Sequence, residues 1–353
     1  MTASPNQDAA AEIARLGAIV AEFRRRLELS PGSLFPAHGD SLLRLGTLLA
    51  DDGQTEAALA AVVEAVALFR ALAEAEPFSF SVHLTSALNS LSNRLHEAGQ
   101  ADASHQAAEE AVLVGRKAAA GQPDHGRFVL VSALINLAGK HMRDGDAHGT
   151  VNNLAEAAEI FRNAGEAGEP FLGAMIETLH GAAMTFAEIG AWNEAVESRR
   201  LMVSVFAADP PPAVVHLLAL ALYQAAQAAL AEGAAELANT RAAEAAGLAR
   251  TLVAADPATY RLFLAQVLGN LAGCHHASGQ LADGLAVALE SVDLFHDSMG
   301  NDPAVGVPSL ILTLENLSAI LSGLGLPDQA ATVDQQRAQL RASLEIMLKA
   351  NQT

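Results

Sequence analysis

Twelve histidines stand in a chain with only 21 Lys and Arg. Histidine is the side chain whose ordinary pKa suits proton transfer near neutral pH. His275 and His276 are adjacent, and on a helix neighbours point about 100° apart, a poor geometry for one metal ion. Glu177 and His180 are three apart and share a helical face. That Glu-x-x-His spacing serves carboxylate di-metal bundles, which need it twice together with two further Glu. No second copy occurs, so no metal site is expected. The single cysteine, Cys274, excludes an intrachain disulfide and a Cys-based zinc site. With no Lys or Arg beside it, it reads as a packed thiol. The chain has no Gly-x-Ser-x-Gly elbow, no phosphate loop ending Gly-Lys-Ser/Thr, no His-Glu-x-x-His and no Gly-x-Gly-x-x-Gly. No cofactor is therefore expected, and catalysis has no motif to rest on.

The composition points to helices. Of 353 residues 51% are hydrophobic, yet only 4% are aromatic, so Ala and Leu, the strongest helix formers, carry the apolar content. The net charge of -19 opposes a nucleic-acid partner, which needs a basic stripe. Residues 1–10 show neither a basic n-region nor an apolar h-region, so a cytoplasmic protein is expected. Residues 213–231 contain no Asp, Glu, Lys or Arg and nearly match a bilayer span. They include His216, Gln224 and Gln227, lack flanking Lys or Arg and fall in register with a soluble repeat, so no membrane partner is expected.

The repeat is written in glycines. Gly53, Gly99, Gly145, Gly190, Gly233, Gly279 and Gly325 follow apolar runs at intervals of 46, 46, 45, 43, 46 and 46 residues. Prolines mark a second phase at Pro31, Pro77, Pro123, Pro170, Pro210, Pro257 and Pro303, the short fourth interval being padded by Pro211 and Pro212. Each unit reads proline turn, helix, glycine turn, helix, because glycine ends a helix through a left-handed cap and proline cannot continue one. Eleven residues before every glycine stands Leu: 42, 88, 134, 179, 222, 268 and 314. Seven before it the residue is small (Gly46, Ser92, Ala138, Ala183, Ala226, Ala272, Ser318), and five after it usually small again. Small residues at fixed offsets on both sides of a turn predict closely crossing helices.

This pattern resembles the tetratricopeptide repeat, as in Leu88-x-x-Leu91-Ser92-x-x-Leu95-x-x-x-Gly99 and Leu268-x-x-Leu271-Ala272-x-x-His275-x-x-x-Gly279. The period is near 46 rather than 34, so each helix is expected to be longer by one or two turns. The family's aromatic in the first helix is mostly replaced, by Leu49, Leu95, Leu321, His141 and His275, and kept only at Phe186. The resemblance implies an all-α fold: one right-handed superhelical solenoid over 1–353. A capping helix at 8–30 would precede repeats near 36–77, 80–123, 127–166, 171–208, 213–255, 259–299 and 305–348. The polar last helix would close the array in water.

In such solenoids the first helix of each pair lines the concave face. By the family register the inward positions lie 13, 10, 6, 3 and 2 residues before the turn glycine. The resemblance then places Asn93 and His96, Met142 and Arg143, His180 and Met184, Tyr223 and Gln227, His276 and Glu315 in the groove. Arg143 is its only base, unlike the basic clusters of family members that clamp a C-terminal carboxylate. Gly139, Gly269 and Gly273 stand inside helices, where they admit either a neighbouring helix or a ligand. His141 and His275 are expected in the core, Trp192 and Tyr260 as packing near turns, and Arg24-Arg25-Arg26 as a solvated face. Two functions stay open. One is a non-catalytic interaction protein holding a peptide, protein or ligand in the groove. The other is a small-molecule-binding protein or enzyme with a central site lined by His96, His180, Tyr223, His276 and Glu315.

Overall fold

The computed structural model describes residues 5–30, 35–164, 172–206, 209–298 and 303–350. Among them the chain forms fifteen helices and no strand. A single helix, α1 (Pro5–Leu29), precedes seven pairs: α2 (Pro36–Asp51) with α3 (Thr55–Ala75), α4 (Pro77–Glu97) with α5 (Ala101–Gly121), and α6 (Pro123–Arg143) with α7 (Ala147–Ala164). Then come α8 (Leu172–Glu188) with α9 (Trp192–Ser204), α10 (Pro212–Ala231) with α11 (Ala235–Ala255), α12 (Pro257–Ala277) with α13 (Leu281–Ser298), and α14 (Pro303–Gly323) with α15 (Pro327–Ala350). The expectation of helix pairs behind a leading helix is met. The prolines Pro31 and Pro170 lie outside the described residues.

One local device makes every turn. All seven turn glycines adopt φ between 73° and 78°, a conformation that other residues enter only at a cost. In each, the amide after the glycine donates to the carbonyl five residues back, as Gln54 to Leu49 at 2.8 Å and Leu326 to Leu321 at 2.9 Å. This closes the helix end in the Schellman pattern and satisfies its orphan carbonyls. The second helix begins within two residues and folds back on the first. Where they cross, the small residues meet. Ser92 Oγ donates to Ser104 O at 2.8 Å and Ser104 Oγ to Ser92 O at 2.7 Å. Thr150 Oγ1 reaches Ala138 O at 3.3 Å by the same register. Ala58, Ala183, Ala226, Ala238 and Ala272 fill the equivalent places, all buried.

The chain divides into two compact units, Met1–Thr178 and Leu179–Thr353. In the first, α1 to α7 pack in sequence, and α4 also touches α6. In the second, α9 to α15 do the same, with α10 against α12 and α12 against α14. The register leucines Leu42, Leu88, Leu134, Leu179, Leu222 and Leu268 are at 0% exposure and Leu314 at 3%. The core of each unit is therefore the seam between paired helices. α10 is long and apolar enough to cross a membrane by length and composition. Its buried face, Leu218, Leu222, Ala225, Ala226 and Ala229, joins the core cluster formed with α11 and α12.

Second helices are tied to one another by a ladder of ion pairs. Arg24–Glu64, Arg70–Glu110 and Arg116–Glu156 close at 2.5, 2.8 and 2.6 Å in the first unit. Arg200–Glu244 and Arg250–Glu290 close at 2.5 and 2.7 Å in the second. The first of the three arginines at 24–26 is thus a rung rather than only a solvated face. First helices are joined differently, by neutral contacts such as Asn136 Nδ2 to Asn89 Oδ1 at 2.7 Å and Asn316 Nδ2 to Gly269 O at 3.0 Å. These contacts decide the in-helix glycines. A side chain on Gly269 would collide with Thr313, and one on Gly273 would stand 2.8 Å from Asn316 Nδ2. Both admit α14. At Gly139 an added Cβ would meet nothing within 4 Å, so this face of α6 remains open.

Candidate ligand-binding cleft

In the second unit α8, α9 and α10 enclose a cleft of about 400 Å³. Its walls are chiefly Ala183, Met184 and Ala187 of α8, Trp192 and Ala195 of α9, and Leu217, Leu220 and Ala221 of α10. The polar groups on it are His180, Glu188, Arg199 and Gln224. The size and mainly apolar lining with a few polar groups suit a small ligand.

Arg199 is the anomaly of the repeat. Nine residues after the turn glycine the other units bury Val62, Ala108, Leu154, Ala242 and Ala288, all at 0–1% exposure. The terminal unit has Asp334 there, on its outer helix. The fourth unit puts an arginine at this core position, 5% exposed. Its guanidinium donates to His180 Nδ1 at 2.7 Å and approaches Met202 Sδ at 3.9 Å. Burial lowers the pKa of Arg199. No carboxylate among the described residues forms an ion pair with it, although Glu188 lines the same cleft. A buried charge without a partner costs of order several kcal/mol, and nothing in the repeat requires it. Burial, and then the Arg199 charge, push the His180 pKa below its usual range. His180 is therefore neutral near pH 7, with Nδ1 accepting and its proton on Nε2. Nδ1 of His180 is taken by Arg199, and among the described residues no group of three or more His, Cys, Asp or Glu stands together so as to hold a metal ion.

Other expected groove residues lie elsewhere. His180 and Met184 line the cleft, whereas Tyr223 and Gln227 pair with each other, Nε2 to the hydroxyl at 2.9 Å. Burial raises the Tyr223 pKa. Glu315 is held by Arg337 and Arg341 of α15 at 3.7 and 3.5 Å, and His276 is exposed on α12. In the first unit Asn93 and His96 are exposed on α4, and Met142 and Arg143 sit on α6, half-buried and exposed respectively. Arg143 and then Lys140 lower the His96 pKa. His141 and His275 bond locally, to Asp146 at 2.9 Å and Gln280 at 2.7 Å. Cys274 is fully buried and its thiol is pushed up to about 11. Trp192, expected as packing near a turn, is a wall of the cleft. Arg199 was outside the expected groove. Its signal was in the sequence, as a charge at an apolar register, but on a second helix rather than a first.

No family model matches the chain, and no curated protein matches it. Among solved structures it aligns with BtubC from P. vanneervenii at 16% identity, covering 68% of this chain and 91% of that one, with a TM-score of 0.39. It aligns with a STAND ATPase carrying a tetratricopeptide repeat sensor from Pyrococcus horikoshii at 10% identity, covering 97% and 48%, with a TM-score of 0.37. The TPR2AB domain of yeast Sti1 in complex with pHSP90 aligns at 14% identity, covering 86% and 99%, with a TM-score of 0.27. The fold is decided by the repeat itself: seven positive-φ glycines, each closing a helix that crosses the next at paired small residues. The chain is a tetratricopeptide-like helical repeat. Within this tetratricopeptide-like frame the fourth pair is the irregular one. Its α9 has 13 residues, against 18 in α7 and 21 in α11.

Proposed function

We propose that this chain is a non-catalytic binding protein that takes a small organic ligand in the cleft between α8, α9 and α10. The cleft itself carries the reading: an apolar hollow of about 400 Å³, bordered by polar groups at a few points. The chemistry around it supports binding over turnover. The imidazole is tied to an arginine instead of a nucleophile, and the thiol of Cys274 is buried and protonated. A buried, free thiol also suits a reducing, cytoplasmic setting.

Native mass spectrometry of protein purified without denaturation tests this. Met184, 46% exposed on the cleft wall, is replaced by Trp in a parallel sample to fill the space. Wild type is expected to carry a small-molecule mass that Met184→Trp loses. Bare protein in both samples, with no change in Trp192 emission when cell extract metabolites are added, would contradict the reading.

A further inference from the structure

Arg199 is a cation supplied with everything except a counter-ion. It occupies a register that five other units fill with Val, Ala or Leu. It is nineteen-twentieths buried, yet it borders a cleft open to solvent. One of its nitrogens donates to His180 and contacts Met202. A guanidinium carries five N–H donors in a planar fork, so donors remain. The neighbouring acid on its own helix does not serve it: Glu197 turns to Arg200 at 3.7 Å. We propose that the cleft is a receptor for an aliphatic carboxylate, whose carboxylate group completes the charge of Arg199 while its chain lies on the apolar walls.

This deepens the binding reading and rests on it. Three observations select the ligand. The planar fork of arginine matches a carboxylate in two parallel hydrogen bonds, and the Nε2–H of neutral His180 is a further donor. The charged groups on the cleft lining are Arg199 and Glu188, which form no ion pair, and Glu188 would repel a second negative charge on a ligand. A single negative charge is therefore favoured over a phosphate dianion. The walls built by Ala183, Met184, Ala187, Leu217, Leu220 and Ala221 are hydrocarbon. A peptide would bury amide groups there without partners, which is unfavourable. A hydrocarbon chain buries none.

Calorimetric titration with octanoate and octanamide, equal in chain and unequal in charge, tests the proposal on the full chain. Octanoate is expected to bind about tenfold or more tightly than octanamide, the range of a hydrogen bond to a charged group. Arg199→Leu, which restores the residue type of Leu154, is expected to erase that preference. Retention of octanamide binding in this variant would show that the cleft is still folded. Arg199→Lys is expected to keep part of the preference. Equal binding of both probes by wild type would overturn the carboxylate proposal and leave the binding reading standing. Binding of neither would overturn the aliphatic carboxylate proposal, and the native mass spectrum then decides the binding reading by itself. Tighter binding of Gly-Gly-Leu with a free C-terminus than of octanoate would overturn the choice of an aliphatic ligand.

Discussion

His38 and Arg199 are polar residues in apolar registers, and each changes what its unit can do. Fifteen residues before the turn glycine six pairs bury Leu84, Leu130, Met175, Leu218, Leu264 and Leu310, while the first pair buries His38 at 2% exposure. His38 stacks on Phe23 at 5.2 Å, and neither ring nitrogen makes a well-aligned hydrogen bond. Glu64 Oε1 stands 3.3 Å from Nε2. Burial lowers the His38 pKa, Arg24 lowers it further, and Glu64 opposes them. The unfolded chain then takes up this proton more readily than the folded one. The stability His38 allows is present above the unfolded pKa of about 6.5 and falls as the pH drops through the folded value. His38→Leu should remove this acid sensitivity and stabilise the fold by about 1 kcal/mol, read as urea midpoints at pH 5 and pH 7.5. A variant as acid-sensitive as wild type would place the titration elsewhere. For Arg199→Leu the expectation is a stability unchanged or raised by about 1 kcal/mol, since an unpaired buried charge is exchanged for hydrocarbon. A large loss in the same urea assay would make Arg199 structural. Both residues could be read from the sequence once the units are aligned. What alignment does not give is the partner: the Arg199–His180 bond and the missing counter-ion are facts of three dimensions.

The helix pair is the unit that the glycines, leucines and small residues specify together. Gly at the turn fixes the reversal, and residues such as Ala226 and Ala238 let the two helices close. Ala226 is fully buried, so Ala226→Leu is expected to cost about 1–3 kcal/mol through overpacking. A melting curve unchanged from wild type would refute that crossing. The ion-pair ladder is different in kind. Its rungs are surface pairs, with Arg116 and Glu156 side chains 53% and 35% exposed. A double-mutant cycle on them should return a coupling of about 0.2–1 kcal/mol that weakens with salt. A coupling that is zero at low salt would remove the ladder from the stability of the fold. The pairs were legible at element scale because the repeat states them seven times. The ladder was not, because Arg24 and Glu64 stand 40 residues apart while the repeat runs at 46. It takes the packing of one second helix on the next to bring them together.

Among the described residues the fourth pair departs from the repeat in both turn spacing and helix length, and the proposed site lies there. The glycine interval shrinks to 43 there and α9 is the short second helix. The same segment holds Trp192 and Arg199, which line the cleft from α9 together with Ala195. The sequence pattern located this irregularity without its meaning. Periodicity reports what the units share, whereas a binding site is built from what one unit does alone. Trp192 is the only tryptophan in the chain, so its emission reports the cleft without a label. The decisive measurement is a fluorescence titration of wild type with octanoate, repeated on Arg199→Leu. A saturable change in Trp192 emission in wild type, shifted to about tenfold higher octanoate or more in the variant, is the predicted result. Emission that stays flat, or that changes identically in both proteins, would contradict a carboxylate-binding cleft at Arg199.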